Sequence, residues 1–107
     1  MFKHDAENEI NSIPTRIEAY FNALFHLIES KAAELGIHLE KLQKVRLILE
    51  NNQEIFGENT EKVWRSFQEI ENQIRPGQIY GGAIDGKKLR RTQELFRFVE
   101  AICGVPE

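Results

Sequence analysis

Large apolar side chains recur along most of this chain at steps of three and four residues, the spacing of one face of an α-helix. The first stripe starts at Ile17, just after Pro14, which suits a first helical turn because a proline there needs no N–H. Gly36 is placed to end this helix in the left-handed conformation. The stripe contains Ile17, Tyr20, Phe21, Leu24, Phe25, Ile28, Ala32 and Leu35.

Two more stripes with the same spacing occupy the middle of the chain. The second extends from Leu39 to near Asn51, and a connector then runs to Gly57. A third helix is expected to begin at Asn59 or Thr60, because either side chain can accept a hydrogen bond from a free amide group. The second stripe contains Leu39, Leu42, Val45 and Leu49, widened by Leu47 and Ile48, and the third contains Val63, Trp64, Phe67, Ile70 and Ile74.

The third helix is expected to end at Pro76 and Gly77, because the proline removes a donor and biases Arg75 away from helical geometry. Asp85 is placed to cap a fourth helix and Gly104 to end it. The apolar face of this last helix contains Leu89, Leu95, Phe96, Val99 and Ile102.

These patterns predict an all-α protein. No segment alternates with a period of two over a useful length, so strands are not expected. Four amphipathic helices with short connectors favour an up-and-down four-helix bundle, which we assign to residues 12–107. Residues 1–11 are polar and acidic, and we expect a flexible arm or a short, frayed helical turn there. Most aromatic side chains of the apolar faces are expected in the core.

The composition fits one small domain in a reducing compartment. The 107 residues carry a mild net charge of −3, which does not imply non-specific binding to nucleic acid or membranes. Cys103 is the only cysteine, so neither an intrachain disulfide nor a CxxC motif exists. No apolar run approaches the roughly 20 residues of a membrane span, and the first residues do not resemble a secretory signal. We therefore expect a cytoplasmic protein.

Several common kinds of site lack their sequence signatures. There is no HExxH and no Glu-x-x-His pair, and the three histidines are not at metal-ligand spacing, so we expect no metal site. Neither the P-loop pattern nor GxGxxG occurs, and no arrangement typical of a serine or cysteine nucleophile is present. We expect no cofactor.

The third connector carries the polar chemistry that remains. Arg75 offers a planar fork of donors suited to phosphate oxygens, and Tyr80 offers a hydroxyl and a ring on which a base can stack. Gly81 and Gly82 leave backbone amides accessible near the start of the fourth helix. The candidate nucleotide- or RNA-binding residues are Arg75, Tyr80, Gly81, Gly82, Lys87, Lys88 and Arg91. A glycine-rich turn beside a solvated basic face explains the same residues, and Asp85 would repel an anion at that helix end.

Two segments resemble the HEPN superfamily (higher eukaryotes and prokaryotes nucleotide-binding). The aromatic-rich segment from Ala19 to Ile28, with the Gly36-Ile37-His38 junction after it, resembles the first helix and turn of small archaeal and bacterial members. The segment from Arg75 to Gly81 is similar to a variant of the family's arginine-x4-histidine motif with tyrosine at the histidine position. The likeness covers most of residues 14–103.

The resemblance implies an up-and-down four-helix bundle, commonly a homodimer, with the arginine motif near the dimer interface. Active members are metal-independent ribonucleases, often toxins whose partner is a nucleotidyltransferase antitoxin, and other members are non-catalytic subunits. By position, Arg75 would contact the scissile phosphate and Tyr80 would replace the histidine. Tyrosine titrates near pH 10 and is a poor general base at neutral pH.

Three functions follow from these observations. The first is a non-catalytic or weakly active subunit of a toxin–antitoxin-type system, which binds nucleotide, RNA or a nucleotidyltransferase. The second is a metal-independent ribonuclease with Arg75 and Tyr80 as catalytic residues. The third is a purely structural protein-interaction module whose glycine loop only turns the chain. We expect the first, without a membrane partner.

Overall fold

The computed structural model describes residues 2–8, 12–39, 44–76 and 86–104. Regular structure in these ranges is entirely helical, which confirms the all-α prediction. The five α-helices are α1 (Phe2–Glu7), α2 (Ile13–Ala33), α3 (Val45–Asn51), α4 (Thr60–Glu69) and α5 (Gly86–Cys103). A 3₁₀ turn (Gly57–Asn59) precedes α4, and a π-helix (Ile70–Ile74) continues it. None of the helices in the described ranges has the length and apolar character needed to cross a membrane.

Helix α2 begins and ends as its sequence predicts. The Ser12 hydroxyl accepts from the Thr15 N–H at 3.3 Å, and a proline occupies the first turn. At the other end Gly36 has φ of 75°, and the Ile37 N–H donates to the Ala32 carbonyl at 3.0 Å. This is the Schellman arrangement, in which a left-handed glycine lets the chain satisfy the last carbonyls of the helix.

The core lies where α2 packs between α4 and α5. Phe67 of α4 stacks on Phe21 at 4.8 Å between ring centroids, and Phe96 of α5 lies 5.3 Å from Tyr20. All four side chains are at most 2% exposed. The prediction that most aromatic side chains serve the core is confirmed for the described residues, where Phe98 is the large aromatic that remains 38% exposed.

The contacts also give the directions of the long helices. Phe67 lies near Phe25 and Phe21, whereas Arg75 reaches Glu18, so α4 and its π-helix run antiparallel to α2. Along α5, Phe96 packs on Tyr20 and Cys103 lies near Lys31, so α5 runs parallel to α2. In an up-and-down order of four helices the first and the last run antiparallel. The parallel course of α2 and α5 differs from that order.

Residues 2–7, expected to form a loose arm or a short helical turn, form helix α1 and pack on the long helices. The Lys3 ammonium lies 2.7 Å from the Glu100 carboxylate of α5. The Arg16 guanidinium of α2 donates to the Ala6 carbonyl at 2.7 Å, and the Ala6 side chain is fully buried. One ion pair and one hydrogen bond therefore fix both ends of α1.

The second predicted helix is shorter than its apolar stripe. Leu39 is buried but not helical, and α3 begins only at Val45. Val45 and Leu49 point into the core, whereas Leu47 is 51% exposed. Leu47 lies two residues from each of them and therefore on the opposite side of the helix. The prediction that Leu47 widens the buried face was wrong.

The third helix begins at Thr60 as predicted, but the predicted cap and the predicted effect of Pro76 on Arg75 were wrong. Pro76 is itself helical, and Gly77 lies outside the described residues. The Thr60 hydroxyl donates to the Gly57 carbonyl at 2.6 Å, and neither Thr60 nor Asn59 accepts a capping hydrogen bond. Arg75 remains helical (φ −60°, ψ −44°), and its N–H donates to the Ile70 carbonyl five residues back.

The last helix follows its prediction where it is described. Leu89, Leu95, Phe96 and Val99 are buried. Gly104 ends the helix with φ of 69°. Asp85, the predicted cap, lies outside the described residues.

Candidate functional site

Arg75 lies at the end of the π-helix and turns back to α2. Its Nε donates to the Glu18 carboxylate at 2.9 Å, and its guanidinium carbon lies 4.1 Å from the centroid of the buried Phe21 ring. Only 24% of the Arg75 side chain is exposed. A carboxylate therefore compensates its charge, and an aromatic ring covers one face of the guanidinium.

A second carboxylate lies near the same guanidinium. Burial raises the pKa of Glu71, and the positive charge of Arg75 opposes this rise in part. Glu18 is in turn linked to Asn22, whose side-chain amide donates to the Glu18 backbone carbonyl at 2.9 Å. Arg75 thus has two acidic neighbours, Glu18 and Glu71, and an incoming phosphate would have to compete with both.

Tyr80, Gly81 and Gly82 lie outside the described residues. The role proposed for Tyr80 beside Arg75, as a substitute for histidine or as a stacking ring, therefore stays a prediction.

Arg91 makes a two-point ion pair on α5. Its Nε and Nη2 donate to the two oxygens of Glu69 at 2.6 and 2.9 Å, and Glu94 lies 3.4 Å away. The hydrogen bond with Glu69 is the main reason that the pKa of Arg91 rises further above its usual value. This two-point contact ties α5 to α4. Arg75 is paired with Glu18 of α2 instead. The two predicted binding residues are therefore held by carboxylates on different helices.

The remaining predicted basic residues lie in the first turn of α5. Lys87 is exposed and Lys88 is half-buried. The Lys88 backbone carbonyl accepts from the buried Thr92 hydroxyl at 2.8 Å. Basic side chains are therefore exposed to solvent at the start of α5. Arg91, in the next turn, is paired with Glu69.

Sequence reasoning missed a groove of about 630 Å³ between α3, α4 and α5. In this groove the Trp64 ring lies 4.0 Å from the Arg46 guanidinium carbon and 5.4 Å from that of Arg65. Arg65 adjoins Trp64 in sequence, but Arg46 comes from another helix. The apolar stripe predicted that Trp64 is buried, but no local signal indicated that Arg46 would stack on it.

Other reactive side chains have ordinary surroundings. The His26 ring lies 3.1 Å from the Glu29 carboxylate. Burial raises the pKa of the half-buried Cys103 thiol, the opposite of what an activated nucleophile needs. Within the described ranges no three His, Cys, Asp or Glu side chains form a group suited to a metal ion.

No protein-family model matches the chain, and neither a curated protein nor a solved structure matches it.

Proposed function

We propose that this protein is a small helical subunit that acts by binding and not by catalysis. In this proposal it is a HEPN-like, cytoplasmic protein that binds nucleotide or RNA, or that partners a nucleotidyltransferase in a toxin–antitoxin-type system. Four helices, α2 to α5, support the four-helix arrangement, whereas the parallel course of α2 and α5 counts against the up-and-down order.

One observation carries the non-catalytic part of the proposal. Arg75 already donates to Glu18 and packs on Phe21. A catalytic arginine has to present its donors to the charge that develops on the phosphate. Here Nε already donates to a carboxylate, and a ring covers one face of the guanidinium. The geometry therefore favours a subunit over the ribonuclease alternative that uses Arg75 and Tyr80.

The basic start of α5 supports the binding part of the proposal. From Arg75 to Arg97 the chain has six basic and two acidic side chains. In the first two turns of α5 Lys87, Arg90 and Arg91 are exposed, and Arg91 is paired with Glu69. Phosphate contacts from such side chains release counterions, so the affinity they provide falls steeply as salt is raised.

Fluorescence anisotropy with a labelled single-stranded RNA, recorded over a series of salt concentrations, tests this proposal. We expect a binding constant that falls with salt. The double variant Lys87→Ala/Lys88→Ala should bind more weakly and give a shallower salt slope. Glu29→Gln, on the exposed side of α2, is a control that should bind like the parent. No binding at low salt would contradict the RNA- and nucleotide-binding forms of the proposal and leave the protein-partner form.

A further inference from the structure

A second cleft, which we call the α1 cleft, lies between α1, α2 and α5 and has a volume of about 620 Å³. This volume is in the range of pockets that bind small molecules. No predicted binding residue of the described ranges lines the cleft, so the proposed function leaves it without a role. The side chains considered below are Lys3 and Glu7 of α1, Tyr20 of α2, and Phe96, Arg97 and Glu100 of α5.

The wall that α1 contributes is fixed in place. The Lys3 ammonium lies 2.7 Å from the Glu100 carboxylate, whose side chain is only 11% exposed. The Ala6 carbonyl accepts from the Arg16 guanidinium at 2.7 Å. The α1 cleft is therefore a preformed space between anchored helices, and the charges of Lys3 and Glu100 compensate each other within it.

The Tyr20 hydroxyl is a buried polar group with hydrogen-bonding capacity to spare. Tyr20 is 2% exposed, and its ring packs on Phe96. The hydroxyl accepts from Gln93 Nε2 at 3.4 Å, which is longer than most protein hydrogen bonds. Within the described ranges no group accepts the proton of this hydroxyl. Because buried polar groups normally have partners, the hydroxyl is suited to donate to a ligand atom in the cleft.

Two exposed charges of opposite sign also line the α1 cleft. Glu7 belongs to α1 and Arg97 to α5. In the part of the chain that the structure describes, neither side chain has a hydrogen bond or an ion pair, and the two do not pair with each other. A negative and a positive group thus face one cleft from two different helices, with space between them.

These signs select the charge of a ligand. A simple anion would bind Arg97 and meet repulsion from Glu7, whereas a simple cation would bind Glu7 and meet repulsion from Arg97. A ligand with one charge of each sign satisfies both. The planar fork of Arg97 matches the two oxygens of a carboxylate, and a carboxylate such as Glu7 accepts from an ammonium group.

We infer that the α1 cleft binds a small zwitterion of the α-amino acid class with a large apolar side chain. Its carboxylate accepts from Arg97 and from the Tyr20 hydroxyl, and its ammonium group donates to Glu7. The rings of Tyr20 and Phe96 supply apolar surface for the ligand's side chain. This site goes beyond the proposed RNA binding, because Lys87 lies ten residues before Arg97, roughly 15 Å away along α5.

Isothermal titration calorimetry with four probes tests the inference. The zwitterions are L-phenylalanine and L-leucine, and the analogues are 3-phenylpropionate, which lacks the amine, and phenethylamine, which lacks the carboxylate. We expect L-phenylalanine to bind about tenfold more tightly than either analogue, because each analogue loses one charged contact. No binding of either amino acid at millimolar concentration would overturn the inference. An analogue that binds as tightly as L-phenylalanine would overturn it too, because one of the two charges would then have no role.

Three variants assign the contacts to their residues. Arg97→Gln should bind L-phenylalanine about tenfold more weakly and leave the affinity for phenethylamine unchanged, whereas Glu7→Gln should do the same and leave that for 3-phenylpropionate unchanged. Tyr20→Phe keeps the ring and should weaken L-phenylalanine several-fold. The control Arg90→Gln, an exposed residue of α5 outside the cleft, should bind like the parent. Parent-like affinity of both Arg97→Gln and Glu7→Gln would overturn the inference.

Two further measurements separate binding from changes in folding and locate the ligand. Glu7 and Arg97 are exposed and have no described partner, so both variants should unfold at the parent's temperature by circular dichroism. In amide NMR spectra, L-phenylalanine should shift the signals of Glu7, Arg97 and Ala101, which line the cleft. Shifts confined to the first turn of α5 around Lys87 would place the ligand on the proposed RNA-binding surface and overturn the inference.

Discussion

At the scale of single residues, Arg75 shows that the role of a candidate site residue depends on its contacts with distant segments of the chain. Its position in the third connector and its planar fork of donors suggested phosphate chemistry. The partner is Glu18, 57 residues away, together with the ring of Phe21. The sequence identified the residue but not its partners, since pairing across helices depends on how the helices are oriented.

We predict that Arg75→Ala destabilises the protein by about 1–2 kcal/mol, from the loss of the pair with Glu18 and the contact with Phe21. Arg75→Lys should lose less, because it keeps the charge but not the planar group. Urea unfolding followed by circular dichroism measures both. The exposed Arg90→Ala should stay within about 0.5 kcal/mol of the parent. An Arg75→Ala protein as stable as the parent would show that these contacts do not matter for the fold.

Glu71 gives a prediction for pH. Burial raises its pKa above the usual 4.5, so the folded protein holds this proton more tightly than the unfolded chain. The resulting stability is present at pH values below 4.5 and is lost as the pH rises through the folded pKa. Glu71→Gln stays neutral and should therefore unfold at a higher temperature than the parent at pH 7, with a smaller difference at pH 4.

Thermal unfolding of both proteins at the two pH values measures this effect. The exposed Glu58→Gln serves as the matched control and should change the unfolding temperature little. A Glu71→Gln protein less stable than the parent at pH 7 would mean that the attraction of Arg75 outweighs the cost of burial.

At the scale of helices, local signals determined some ends and failed at others. The proline in the first turn of α2 and the glycines at positions 36 and 104 act through their immediate neighbours, and these ends could be predicted. The π-helix before Pro76 could not be predicted. Its hydrogen bonds reach the carbonyl five residues back, and this geometry depends on the packing of Ile70 and Ile74 in the core. Leu39 likewise is buried without being helical, and its apolar character alone suggested a longer helix.

Gly36 and Gly86 form a matched pair that tests how the helix ends are stabilised. A Cβ added at either position would meet no heavy atom within 4 Å, but only Gly36 has a positive φ, at 75°. Gly36→Ala should therefore cost about 1 kcal/mol through backbone strain alone. Gly86→Ala, at the start of α5, should be neutral or slightly stabilising. Equal effects in urea unfolding would contradict the role given to Gly36.

At the scale of the whole molecule, the helical class and most of the core could be predicted, because buried positions repeat with the helical period. The directions of the helices could not, since the stripes of α2 and α5 do not encode that the two run parallel. For the same reason the sequence did not reveal the groove between α3, α4 and α5. Arg46, Trp64 and Arg91 come from three helices, and only packing brings them together.

The central claim is that Arg75 serves the fold and not the cleavage of RNA. The most direct measurement is to incubate end-labelled single-stranded RNA with excess parent protein, and separately with Arg75→Ala, in buffer containing a metal chelator. We predict intact RNA in both samples over hours. Fragments produced by the parent and absent with Arg75→Ala, at a temperature where both proteins are folded, would contradict the claim and identify a metal-independent ribonuclease.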